Sequence, residues 1–191
     1  IVLFAVVYFS KVATSKKAFL LSLLASLAMV NRLDTCLLLK QHSIPFHLFM
    51  VGDGELRGQY EKFIIENSLQ SQITITGKLN YKEVRKLYRQ TNFVVQAPTV
   101  EGFGKVPVEG YFHGALPVIN NVTLAEYLTQ KNTLGYLFDV NEKESLFNRL
   151  IYIHQHPNEV AERIVASRLF AKQFTLENWA EQYDQQIKKY Q

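Results

Sequence analysis

Short apolar runs alternate along this 191-residue chain with longer segments whose apolar positions recur every three or four residues. The short runs have strand length and are bounded by turn-forming residues, whereas the periodic segments show one apolar helical stripe. Strands are predicted at Ile1–Phe9, Phe46–Val51, Ile73–Thr76, Phe93–Ala97 and Leu116–Ile119, with an edge strand at Leu134–Phe138. Helices are predicted at Lys16–Val30, Leu33–Gln41, Glu55–Asn67, Tyr81–Gln90, Val106–His113, Glu142–His154, Pro157–Ala171 and Leu176–Tyr190. Within Glu55–Asn67, Leu56, Tyr60, Phe63 and Ile64 share the face that would meet a sheet. Gln155–Asn158 reads as a short linker between two helices.

Strands alternating with helices argue for an α/β domain with a mostly parallel sheet, because a parallel pair needs a crossover long enough to hold a helix. The helices then cover both faces, and the length is that of one domain. In such sheets ligands bind beyond the carboxyl ends of the strands. Those ends carry Ser10–Ser15, Gly52–Glu55, Gly77–Asn80 and Pro98–Lys105, so glycine and lysine gather on one rim.

The most informative of these stretches is Thr99–Glu109, where Glu101 and Glu109 flank Gly102-Phe103-Gly104 and Lys105. A glycine turn between a strand and a helix bares backbone N–H groups beside the positive end of a helix dipole, an arrangement suited to phosphate. The carboxylates then suit hydroxyls of whatever carries the phosphate. One precedes the turn and the other lies about a turn into the helix, so they are read as binding groups for different parts of one ligand. They are not read as the opposed acid and base of a hydrolase.

Charge narrows the partners. The chain has 21 Lys and Arg against 17 Asp and Glu, a formal +4. So small an excess suits a nucleotide phosphate or an anionic membrane surface. No arginine-rich run or aromatic–basic interleaving points to nucleic acid. Cys36 is the only cysteine, which excludes an intrachain disulfide and favours a reducing, cytoplasmic compartment. It reads as a buried helical side chain and not as a nucleophile. The five histidines show no metal-ligand spacing, so no metal is expected. Asp53 reads as a turn former or helix cap, and His113 as a core or supporting histidine. Tyr81, Tyr88, Tyr111, Phe112 and Trp179 read as core or interface aromatics. The apolar runs before residue 31 fall short of the roughly 18 residues that a spanning helix needs. The chain opens on a strand without methionine and is expected to continue a longer protein.

Four landmarks then stand in order: Phe49-Met50-Val51-Gly52-Asp53-Gly54, Ile75-Thr76-Gly77-Lys78-Leu79, Glu101-Gly102-Phe103-Gly104 with Glu109, and Gly114-Ala115-Leu116-Pro117-Val118-Ile119. Together they resemble the carboxy-terminal, nucleotide-sugar-binding domain of GT-B-fold retaining glycosyltransferases of group 1, family 4-like. The resemblance runs from Ile1 to about Tyr190. It implies a Rossmann-like domain over residues 1–174, and over 175–191 a helix packing back towards an amino-terminal acceptor domain upstream of Ile1.

The resemblance also implies roles. Glu101 would face the donor sugar and Glu109 the ribose hydroxyls. Gly102, Phe103, Gly104 and Lys105 would hold the diphosphate or sugar, and Gly77, Lys78 and Leu79 would meet the base. Lys11 and Lys16 stand at the spacing of the family's Arg/Lys pair, with Lys16/Lys17 as the other registration. Together with Glu101 they form the catalytic set, stabilising charge on the departing diphosphate without a metal or other cofactor. Departures from the pattern are plain. Ser10 and Lys17 replace flanking glycines, and Lys11 replaces an arginine and loses its bidentate fork. Asn120-Asn121-Val122-Thr123 replaces a glycine pair ahead of Glu126. Gly110 replaces a common alanine, which should let its helix pack closely.

The implied activity is transfer of a sugar from a nucleotide-diphospho sugar, UDP-sugar favoured, to a glycan or lipid-linked acceptor with retention of configuration. The isolated domain is expected to be inactive, and the whole protein to contact the inner membrane face peripherally. A nucleotide-sugar epimerase of the same architecture and a noncatalytic nucleotide-sugar-binding subunit fit the same residues.

Overall fold

A computed structural model of the chain describes residues 2–6 (backbone only), 33–99 and 101–189. The predicted helix Lys16–Val30 and the candidates Lys11 and Lys16 lie outside the described residues. Six strands form one sheet: β1 Val2–Val6, β2 His47–Val51, β3 Ile73–Gly77, β4 Phe93–Gln96, β5 Leu116–Asn120 and β6 Tyr136–Phe138. Their order is β3-β2-β1-β4-β5-β6 and every neighbouring pair is parallel. This is the six-stranded Rossmann order, in which the direction of winding reverses between β1 and β4. That reversal opens a crevice at the carboxyl ends of these two strands. The predicted Leu134–Phe138 strand is β6, at one edge of the sheet.

The described helices are α1 over 33–41, α2 Arg57–Glu66, α3 Tyr81–Gln90, α4 Lys105–His113, α5 Ala125–Leu128, α6 Ser145–Gln155, α7 Pro157–Ala171 and α8 Leu176–Lys188. A 3₁₀ turn, Lys172–Phe174, joins α7 to α8. The two faces of β2 show how the sheet is covered. Leu48 and Met50 join Leu33, Cys36 and Leu39 of α1, Tyr60 and Ile64 of α2, and Leu146 and Leu150 of α6. Phe49 and Val51 instead meet Val84, Leu87 and Tyr88 of α3 and Val106 of α4. Alternate side chains of one strand thus feed two cores, as the pleat requires. Burial pushes the Cys36 thiol up to about 12, with Asp34 adding to the shift, so the group is inert as a nucleophile.

α4 lies close on the sheet. A Cβ at Gly110 would sit 2.8 Å from the Ala115 carbonyl oxygen and 2.9 Å from Val94 Cγ2. The absence of a side chain there is what permits that approach, so even the alanine expected from the resemblance would force a shift.

Two readings are corrected. Gln155–Asn158 is no linker: only His156 separates α6 from α7, its ring stacked 4.0 Å from that of Tyr152, and Pro157 opens α7 where its missing N–H costs nothing. α6 starts at Ser145, not Glu142, because Asp139 holds the preceding residues in a turn, its Oδ1 accepting from Asn141 N at 2.7 Å. The single turn α5 was not predicted, being too short to show a period. Of the aromatics read as core or interface, Tyr88 and Tyr111 are buried, whereas Tyr81, Phe112 and Trp179 are exposed. α8 buries none of its residues, and Leu176, Trp179, Tyr183 and Ile187 form an outward stripe. Among the described residues no helix is long and apolar enough to cross a membrane.

Candidate functional site

β4 runs apolar from Phe93 and closes on Gln96, beside the β1–β4 reversal. The chain then loops through Glu101 to Gly104, which takes φ 74° and ψ 66°, the left-handed region. A Cβ at Gly104 would also sit 3.0 Å from Leu128 Cδ1, so backbone and space both call for glycine. From Gly104 the chain enters α4 with no side chain capping it, and Pro107 has no N–H to satisfy. The first-turn amides of α4 therefore lie at the positive end of the helix without a side-chain acceptor.

Beside this turn is a shallow, open pocket lined by Gln96, Glu101, the Gly102–Gly104 turn, Asn120 and Leu124 among others. Asn120 is its brace. At 3% exposed, its Nδ2 donates to the Pro98 carbonyl at 2.7 Å and its Oδ1 accepts from Val140 N at 2.9 Å. The loop after β4 is thereby tied to the loop after β6. The residue standing in for an expected glycine is a structural strut, with both polar atoms committed.

The two glutamates flank the start of α4 from opposite sides. Glu101 is half-buried in the pocket wall and its Oε1 accepts from Gly102 N at 2.9 Å. Glu109 is exposed on the α3 side, where its Oε2 accepts from the Tyr88 hydroxyl at 3.1 Å. Tyr88 is 1% exposed, so the phenol is a fixed post and the carboxylate keeps its other oxygen for solvent or ligand. The His113 ring stacks on Tyr88 with centroids 5.6 Å apart. Desolvation, then the charges of Arg85 and Arg89, hold His113 below the usual imidazole value. This supporting position agrees with the sequence reading.

Phe103 is 43% exposed and its ring meets Phe174 edge-on at 5.6 Å. Phe174 also meets Phe170 at 5.3 Å and Tyr127 at 6.4 Å. An aromatic clasp thus joins the glycine turn to the segment entering α8. Lys105, the first residue of α4, is exposed.

At the end of β3, Gly77 takes φ 70° and its carbonyl accepts from Gly52 N at 2.9 Å. Lys78 is exposed, and Leu79 packs on the α3-side core. Three strand spacings of about 4.8 Å place this turn roughly 14 Å along the rim from β4. Asp53 forms its own turn, accepting from Gly54 N at 2.9 Å. The cap position of α2 is Leu56, so Asp53 is no cap. Among the described residues no group of three His, Cys, Asp or Glu side chains could hold a metal ion.

Gln96, Asn120 and Tyr88 were not singled out as site residues from sequence. A polar residue closing an apolar strand was the available signal for the first two. Tyr88 gave none, since its partner lies 21 positions away.

Residues 27–168 match the family described as glycosyl transferases group 1. An uncharacterized glycosyltransferase of Methanocaldococcus jannaschii, MJ1178, is 31% identical over 122 residues, 64% of this chain and 30% of its own. The Anabaena protein Alr3699/HepE, solved with UDP and glucose, superposes with a TM-score of 0.67 at 19% identity, over 98% of this chain and 48% of its own. The pneumococcal O-GlcNAc transferase GtfA, solved with UDP and GlcNAc, gives 0.71 at 16% identity, over 98% of this chain and 35% of its own. The chain therefore spans less than half the length of these relatives, and at such identities the structural likeness establishes the fold. With the GT-B-type Rossmann sheet, the glycine-started α4 at its switch point and the match over residues 27–168, the chain belongs to the group 1 glycosyl transferases.

Proposed function

We propose that this chain is the donor-binding half of a retaining glycosyltransferase and takes a UDP-sugar along the rim between β3 and β4. The observation that carries this is the uncapped, glycine-started α4 at the winding reversal, with a carboxylate on each side. The diphosphate lies against the first-turn amides of α4, Glu109 accepts from the ribose hydroxyls, and the base reaches the Gly77–Leu79 turn. Glu101 binds hydroxyls of the sugar at the open pocket beside the glycine turn.

In transfer, the bond from the anomeric carbon to the diphosphate oxygen breaks and its electron pair leaves with the phosphate. Fixed donors aimed at that growing charge lower the barrier by about 3 kcal/mol each. The amides of α4 act this way, joined by Lys11 and Lys16, with no metal taking part. The acceptor, a glycan or a lipid-linked sugar, enters from an upstream domain, and the outward stripe of α8 docks on that domain. The isolated chain binds donor but turns over poorly.

Calorimetric titration with UDP and with GDP tests the reading. UDP is expected to bind more tightly than GDP, and Glu109→Ala to weaken UDP by about 10-fold or more, the worth of a hydrogen bond to a charged group. Glu101→Ala should leave UDP affinity intact and weaken UDP-sugar. A chain that does not bind UDP, or binds it equally well as Glu109→Ala, overturns the assignment.

A further inference from the structure

We propose that the outer face of α3 is a docking surface for an anionic lipid bilayer. Residues 78–89 contain Lys78, Lys82, Arg85, Lys86 and Arg89 against one carboxylate, Glu83. Five minus one is four, and the whole chain's 21 minus 17 is also four, so the remaining residues balance. The entire formal charge excess is concentrated in twelve consecutive positions.

The fold displays that excess. Lys82, Arg85, Lys86 and Arg89 recur at i, i+3, i+4 and i+7, which places them on one helical stripe, and all four are exposed. Val84, Leu87 and Tyr88 occupy the opposite face and pack on the core, which fixes the stripe outward. Glu83 offsets one of the five charges but pairs with none of these cations, its Oε2 accepting instead from Asn80 N at 2.7 Å in the box that starts α3. Among the described residues no ion pair includes any of these five cations. By contrast Arg57, Lys62, Arg163 and Lys188 each pair with a carboxylate four residues away.

Shape decides between partners. A helix solvated for its own sake carries interleaved signs, and this face carries one. A single phosphate ligand would draw cations around a point, but the stripe is a row roughly 10 Å long. Single-stranded nucleic acid would ask for a series of aromatic platforms. Here one ring, Tyr81, is 69% exposed, with the Arg85 guanidinium 5.5 Å from its centroid. A row of long, flexible cations beside one amphipathic ring suits a flat array of lipid phosphates. α3 packs alongside α4, so docking brings the glycine turn close to the bilayer. The docking is independent of the glycosyl-transfer reading, and only its use in meeting a lipid-linked acceptor rests on it.

The test is co-sedimentation of the chain with vesicles of phosphatidylglycerol and phosphatidylcholine, against phosphatidylcholine alone. Pelleting is expected with the anionic vesicles only, and release at high salt. Each cation near such a surface is worth about 5-fold in binding. Replacing Lys82, Arg85, Lys86 and Arg89 by serine together should therefore lower partitioning by roughly several hundred-fold. The thermal midpoint and the UDP titration of that variant should match the parent chain. A second variant removes the same charge elsewhere, with Lys62, Lys131, Lys143 and Lys188 changed to serine, and should lose only a few-fold. Equal loss in both variants, pelleting with neutral vesicles, or tighter capture by poly(U) than by vesicles at the same salt would overturn the proposal. A chain that pellets without binding UDP keeps the docking surface and sinks the donor site.

Discussion

α3 and α4 leave the same edge of the same sheet and lie side by side, yet they begin in opposite ways. At α3, Asn80 is extended, its Oδ1 accepts from Glu83 N at 3.1 Å, and Glu83 returns the bond to Asn80 N. The capping box consumes donors that would otherwise face the rim. At α4 a left-handed glycine takes the cap position and no side chain closes the turn. The sheet dictates where both helices start but not whether their starts are sealed. Local sequence makes that choice, with Asn-x-x-Glu for stability at one helix and Gly-Phe-Gly for ligand access at the other.

The largest effect should come from filling the open start. Gly104→Val puts a β-branched residue at φ 74° with Leu128 Cδ1 3.0 Å from its Cβ. Such strain costs about 2–3 kcal/mol, to be read from urea denaturation, and the distorted turn should bind no measurable UDP. A variant that unfolds at the parent midpoint and still binds UDP would erase the contrast. The sealed start should behave differently. Asn80→Ala removes the cap and costs about 1 kcal/mol, while the UDP isotherm stays unchanged. Should Asn80→Ala weaken UDP as much as Gly104→Val does, both starts belong to the site and the distinction fails.

The same contrast separates what was legible in the sequence from what was not. Tyr81–Gln90 and Pro157–Ala171 have the predicted bounds, because an Asn-x-x-Glu box and a first-position proline are written in adjacent residues. The parallel sheet followed from alternation and crossover length, and the glycine turn from its position after β4, but the strand order did not show. What failed to show were pairings set by the finished fold. Tyr88 reaches Glu109 across 21 positions, Asn120 reaches Pro98 across 22, and Phe103 finds Phe174 beyond the four helices α4 to α7. No period or motif encodes such contacts. Trp179 has a spacing that suits a core or an interface, and which of the two it serves was not written in the sequence; among the described residues α8 buries none of its side chains.

The aromatic clasp offers a smaller test of how the open start is held. Phe174→Ala removes the ring on which Phe103 rests, and an aromatic pair is worth about 0.5–1.5 kcal/mol beyond its burial. UDP affinity should fall by about 2–10-fold, with Phe174→Tyr restoring it, and it should fall by the same factor in the Asn80→Ala background. An unaltered isotherm for Phe174→Ala would mean that glycine geometry alone sets the turn.

The smallest effect concerns the seam between the two helices, where His113 of α4 stacks on Tyr88 of α3. Desolvation first, then Arg85 and Arg89, hold the folded imidazole below its ordinary value. The unfolded chain titrates near that ordinary value, about 6.5, and so takes up a proton at higher pH than the folded chain does. The stability associated with a neutral His113 is complete above about pH 6.5 and declines as pH falls through that value towards the lower folded one. The ring is only half-buried, so solvent screens much of the effect. Urea midpoints taken across that window should therefore drop less steeply for His113→Gln than for the parent chain. Arg85→Ser should soften the drop by a lesser amount, because the arginines contribute less than desolvation does. Parallel pH profiles for the parent and His113→Gln would show that the seam carries no proton linkage, leaving Tyr88 to act on α4 through Glu109 alone.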